Sequence, residues 1–507
     1  MRALKGVLVY IGIVLGVAVG LGLILVCIMY FVPSFRIAGI GMIHFNKKGT
    51  EEVVSLESYT GYEDIVINAN SDEIGIYVIP TEGNEISYNL NLSIFGLSTE
   101  IVEYQVVQHV EVNDGTLQIY FTVTEPKGWI STNDSALVIN VPTSMKFGLV
   151  ANTESGLVTI GSEKLSTNLS DLSVSTNNGD LKLINIGAGE TEKSLTLETL
   201  NLSTHNGEFD LSSIESLTVL NKVKLYAENG KFVFKNVYAS IDITGTGVDL
   251  LASKITCGTG GFSFIADSGY FEFDLLSCDA SAENTIIAEN IALNVKEISG
   301  KTGIVTSYGN LNINKLNGYT IIENEHGNVS VGVARDTIII KTNMGSINVN
   351  EYYATGKFSS NRGDINVYSC GDFNEEYYTE ISNVDGNVKV KNHINRLIVT
   401  TSGRSNVVVV FGKVKTDSVF QHKINTNTNA SCVVYMPTVG VAPYRFIAKG
   451  IISGEIGGKV SASETEQIYP SSSTENKAAA LKNCSFAFIG KIEFKAHSLD
   501  NIANVEI

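Results

Sequence analysis

The sequence predicts an all-β protein. One N-terminal transmembrane helix leads into an antiparallel β capping domain and then a β-solenoid with glycine at the corners of its rungs. Three observations predict it. First, a short pattern returns every 18 residues: GNLNI, GNVSV, GSINV and GDINV begin at Gly309, Gly327, Gly345 and Gly363. Self-similarity at a fixed short period marks stacked repeats, each covering the next. Second, each copy alternates. Leu311, Val329, Ile347 and Ile365 take the first apolar position and Ile313, Val331, Val349 and Val367 the second. Asn312, Ser330, Asn348 and Asn366 stand between them, the period of a strand with one buried face. Third, residues 7–32 hold 26 positions without a charge. As a helix they run about 39 Å, enough to cross a hydrocarbon core of about 30 Å.

Residues 1–6 then form a short cytoplasmic tail and residues 7–32 a signal anchor. The apolar stretch is longer than that of a cleaved leader and has no small-x-small cleavage site, so it is read as retained. Arg2 and Lys5 precede it while Arg36, Lys47 and Lys48 follow, so charge alone hardly sets the direction. The large acidic β region decides it: the bulk of the chain is placed outside the cytoplasm, as a single-pass protein of the cell membrane. Gly12, Gly16 and Gly20 share one helix face, a small-xxx-small pattern that would let two copies approach as a homodimer.

Residues 33–52 are a juxtamembrane connector. Residues 53–150 alternate strongly without the glycine repeat and read as mostly antiparallel strands, with a tight turn at Asn113-Asp114-Gly115, closing the solenoid's end. Repeats occupy 151–411 in rungs of about 18–23 residues, each of three short sides. An apolar residue recurs five positions before the corner glycine, as in Val174 and Gly179, Leu202 and Gly207, Ile381 and Gly386. Glycine suits a corner that requires φ > 0. Strands continue over 412–460, residues 461–480 are a polar linker, and 481–507 form a closing pair of strands.

Chemistry is sparse. No nucleophile elbow, phosphate loop, HExxH or calcium loop occurs, and the seven histidines have no metal-ligand spacing. No catalytic residue, cofactor or metal is expected. The net charge of −17, without a basic cluster, excludes nucleic acid as a partner. Cys257 and Cys278 are expected on neighbouring rungs as buried thiols. Tyr352, Tyr353, Tyr377 and Tyr378 are the candidate contact face, a ledge on which a glycan or protein ligand would stack; the competing arrangement puts one of each pair in the core.

The stretch ALVINVPTSMKFGLVANTESGLVTI, residues 136–160, resembles the start of the repeats in the bacterial putative-adhesin family. There a strand ending in Pro leads to a second strand and a Ser-Gly corner, here Val141-Pro142, 147–153 and Ser155-Gly156. The corners TNNGDLKL, THNGEFDL, AENGKFVF and SNRGDINV are similar, so the resemblance spans about residues 53–411. It implies an extracytoplasmic β-solenoid on a bacterial membrane and supplies no active site. Two functions are expected from these features. One is a non-catalytic surface scaffold or adhesin. The other is an extracytoplasmic sensor or accessory subunit of an envelope-stress or transport system, working with a membrane partner.

Overall fold

The computed structural model describes residues 14–21, 24, 34–37, 41–44, 47–48, 52–54, 62, 64–92, 95–98, 104–124, 129–131, 135–184, 193–371, 373–413, 421–427, 430–437, 444–449, 452–454, 465–469, 485–489 and 492–497. They fall into two compact units, Met1–Leu220 and Asn221–Ile507.

In the first unit, a rung of two strands, Ile65–Ser71 and Gly75–Thr81, lies at the centre of the stack. On one side follow Phe147–Thr153 with Val158–Gly161, and then Leu169–Thr176 with Leu181–Ile184, all parallel. Register brings Ile67, Leu149, Leu172 and Leu200 into one column, each at most 1% exposed. On the other side, Thr116–Thr124 and Ala136–Pro142 are also parallel to the central rung. The antiparallel pairing expected over 53–150 is therefore only part of that region. It joins Gln105–Asn113 to Thr116–Thr124, Ile86–Leu92 to both Ala136–Pro142 and Glu52–Val54, and Phe95–Ser98 to Trp129–Ser131. The Gln105 strand is reached through the expected turn, where Asp114 and Gly115 have φ of 50° and 85°. Parallel stacking begins at Ile65, well before 151.

The second unit continues the theme. The strand Ile241–Cys257 pairs in parallel with Phe262–Cys278, which pairs with Glu283–Ser299. The ladder between the first two runs over 241–245, 247–252 and 254–257, with one unpaired residue at each break. Those are the three expected sides. From Leu311–Asn317 onward the 18-residue copies stack in strict register, Leu311 on Val329, Val329 on Ile347 and Ile347 on Ile365, all 0% exposed. Asn312, Asn348 and Asn366 point outward, and Asn366 Nδ2 donates to Asn348 Oδ1 at 2.8 Å. Rungs persist beyond 411. Ser485–Ile489 and Ile492–His497 form no closing hairpin. They run parallel to Gln421–Asn425 and Ser431–Pro437 on one side and to Tyr444–Lys449 and Ile452–Gly454 on the other.

The corners show why glycine recurs. A Cβ on Gly327 would lie 1.9 Å from the carbonyl oxygen of Gly309, one on Gly345 1.8 Å from that of Gly327, and one on Gly363 2.1 Å from that of Gly345. Positive φ adds to this at Gly309 and Gly327, 125° and 134°. At Gly345 and Gly363 the close approach alone excludes a side chain. The next residue completes the corner: Asn310 Oδ1 accepts from the N–H of Asn328, and Asn328 Oδ1 from that of Ser346, both at 3.0 Å. Corner amides that a strand ladder would leave bare are thus satisfied by the preceding rung.

Near the N-terminus, residues 14–21 and 24 are helical. Among the described residues no helix is long and apolar enough to cross a membrane, a statement that concerns helices alone. Most of the expected span 7–32, including Gly12, lies outside the described residues.

Candidate functional site

The alternation that builds the core also dictates the surface, because every second residue must face outward. On one side of the second unit three outward positions are apolar. Ile265, Ile287 and Val305 are successive register partners and are 51%, 41% and 45% exposed. The same column continues into Glu323 and Lys341, whose side chains form an ion pair at 2.7 Å. The next outward position, at the break between two sides, holds Asp267, Glu289, Ser307, Glu325 and Asn343. Asp267, Glu289 and Glu325 are exposed.

Between these columns lies an open groove of about 540 Å³, lined by Ile287, Val305, Glu289, Ser307, Glu323, Glu325, Lys341 and Asn343 among others. One wall continues into Tyr308, His326 and Met344, register partners on consecutive rungs. The Tyr308 and His326 rings stack at 4.8 Å and 17°, and His326 Nδ1 lies 3.3 Å from the carbonyl oxygen of Ser307. The groove offers an aliphatic strip that gains from being covered and carboxylates that favour cations or hydroxyl donors. Its rungs hold these groups at fixed spacing, about 4.8 Å per step. Among the described residues no three His, Cys, Asp or Glu side chains are grouped to hold a metal ion.

The four tyrosines singled out from sequence do not make one ledge. Tyr352 is buried at 1% exposure, edge-on to Phe358 at 5.8 Å, and its hydroxyl meets Thr379 Oγ1 and, at 3.1 Å, His393 Nδ1. Burial and the loss of hydroxyl solvation push its pKa well up. Tyr353 is half-buried, with Arg335 5.3 Å over its ring and its hydroxyl donating to Glu351 at 3.0 Å. Tyr377 lies in a turn, its N–H donating to the carbonyl of Asn374. Tyr378 opens the strand Tyr378–Asp385 with Lys357 5.3 Å over its ring. In the helical segment Gly16 is exposed and Gly20 half-buried; a Cβ on either meets nothing within 4 Å.

The aliphatic strip, of which Ile287 and Val305 line the groove, was present in the sequence as broken alternation. Phe264-Ile265-Ala266, Ile286-Ile287-Ala288 and Ile304-Val305-Thr306 each place an apolar residue where a polar one is due. Read singly, each looks like core. Only register puts the three side by side.

The family model described as Toastrack DUF4097 matches residues 62–283, a span that contains the 136–160 stretch. Among solved structures, the chain is similar to a putative cell adhesion protein from Clostridium sporogenes ATCC 15579, at 13% identity and a TM-score of 0.25. That similarity covers 45% of this chain and 100% of the other. No curated protein matches this chain. The Toastrack match agrees with the β-solenoid described above.

Proposed function

We propose that this protein is a membrane-anchored, extracytoplasmic β-solenoid that works by surface contact, as a scaffold or adhesin, without catalysis. The observation that carries the reading is the groove together with the exposed strip that runs from it to the neighbouring rung of Ile265 and Asp267. A solvated aliphatic strip on three consecutive rungs, flanked by three exposed carboxylates, is costly to leave in water and suited to being covered by a partner. The helical segment supports the anchor: Val14, Leu15, Val17, Val19 and Leu21 are 56–62% exposed within a chargeless stretch. Such a surface is at home in lipid.

The test is co-sedimentation of the full-length chain, in detergent micelles, with isolated cell envelope. Ile287→Lys with Val305→Lys should weaken retention about tenfold, the loss of roughly 1.4 kcal/mol, while Asn312→Ala, on another side of the rung, leaves it unchanged. Equal retention of both variants, or turnover of an envelope glycan or peptide abolished by one carboxylate substitution, sinks the proposal.

A further inference from the structure

Two cysteines lie deep in the second unit, where the surface reading makes no use of them. Cys257 ends the strand Ile241–Cys257 and Cys278 ends Phe262–Cys278, and the two are register partners. Their side chains enter the same interior, 0% and 8% exposed. In-register neighbours on adjacent parallel strands sit about 4.8 Å apart at Cα, inside the window of about 4.4–6.8 Å that a disulfide spans without backbone movement. The other two cysteines among the described residues lack such a partner. Cys370 bridges to Tyr352, and Cys432 stands between Val407 and Ile492. All four are unjoined here.

The pair is also asymmetric. The Cys257 thiol hydrogen-bonds to Cys278 and draws its pKa down, while Cys257 itself is pushed up by the same bond and by burial. In the thiol state Cys278 Sγ donates to Asn284 Oδ1 at 2.7 Å. Cys278 lies at a strand end beside the exposed turn 279–281 and is 8% against 0% exposed, so it is the sulfur an external disulfide reaches first, and Cys257 is placed behind it to resolve.

We propose that Cys257 and Cys278 are a modification site, joined into an inter-rung disulfide by exchange with a low-molecular or protein disulfide. Cys278 thiolate attacks one sulfur of the external disulfide, whose S–S bond breaks and whose other half leaves as a thiolate that takes up the proton Cys278 lost. Cys257, losing its own proton, attacks the Cys278 sulfur of the mixed disulfide and releases the second half as a thiol. Two cysteines are oxidised by two electrons and one external disulfide is reduced to two thiols. In the cell the reaction rests on the extracytoplasmic placement proposed above, since a cytoplasmic pool would keep the pair reduced.

The full chain in isolated membranes, exposed to glutathione disulfide, denatured in an alkylating agent without reductant and digested, gives the test. Mass spectrometry should find the Cys257 and Cys278 peptides linked and lighter by the two hydrogens lost, with Cys370 and Cys432 alkylated. The Cys257→Ser variant should instead stop at a glutathione adduct on Cys278. Recovery of both cysteines alkylated, or of an unresolved adduct on Cys278 in the unsubstituted chain, overturns the proposal. Protein taken directly from cells separates the two ideas. A pair reduced in cells but linked by glutathione disulfide afterwards upholds this site and counts against the extracytoplasmic placement.

Discussion

His393 and His422 are fully buried, 6.5 Å apart edge to face, with Phe411 beside both. His393 Nδ1 meets the Tyr352 hydroxyl, and its Nε2 has no hydrogen-bond partner among the described residues. His422 Nδ1 accepts from the Leu397 N–H, which fixes it as a neutral ring. Burial lowers the His393 pKa to about 4. It lowers that of His422 well below the usual value, with the charges of His393 and Arg396 acting in the same direction. In the unfolded chain both titrate near 6.5, so below that pH the unfolded state binds protons the folded state refuses. Stability is whole above pH 6.5 and falls as pH drops toward 4, by about 3 kcal/mol for His393 alone. Denaturant midpoints at pH 7.5 and 4.5 should differ accordingly, and His393→Leu with His422→Leu should shrink that difference. An unchanged gap in the double variant would assign the acid sensitivity to other groups.

At the scale of the rung, the same substitution should act oppositely at two glycines. Gly345→Ala drives a Cβ to 1.8 Å from a backbone carbonyl and should cost about 2–3 kcal/mol, since the rungs must part. At Gly303 the nearest atom to a Cβ is Glu283 Oε1 at 3.5 Å, and Gly303→Ala should be neutral or slightly stabilising. Urea midpoints of the two variants decide it; similar losses at both would mean that glycine serves chain flexibility and not close approach. Ile347→Asp, a charge placed at a 0% exposed position within the apolar column, should be severely destabilising. The 18-residue period and the inward column from Leu311 to Ile365 were legible because both depend on spacing alone. Positive φ was the wrong cause for Gly345 and Gly363, because close approach exists only once a second rung is present. Strand order was hidden for a similar reason: 116–142 and 485–497 pair with rungs distant in sequence, and alternation gives no partner. Of the two arrangements open for the tyrosine pairs, the first pair took the one with a core member: an aromatic at a corner fits either side of the wall, and Tyr352 went inside while Tyr353 stayed half-buried.

For the whole chain, the net charge of −17 sets like charges against each other when two copies approach, which matters most at the strand Gln105–Asn113: among the described residues it is paired on one side only, with Val107 and Val112 54% and 47% exposed and Glu111 its one formal charge. If the anchor proposal holds, protease added to intact cells should remove the β region while the mature protein still begins near Met1. Recovery of a soluble form starting after residue 33 would turn residues 7–32 into a cleaved leader.

Because 485–497 lies between 421–437 and 444–454, the final stretch of the molecule cannot assemble in the order in which it is translated. When residues 444–454 leave the ribosome their parallel partner has not been made, and 421–437 presents a bare edge until 485–497 emerges. The interval before 485–497 is made is when the nascent chain is most exposed to aggregation and chaperone capture. A stop codon after residue 480 would remove more than two strands: among the described residues it would leave 444–449 held only by its antiparallel neighbour 465–469, and 452–454 without the strand it stacks on.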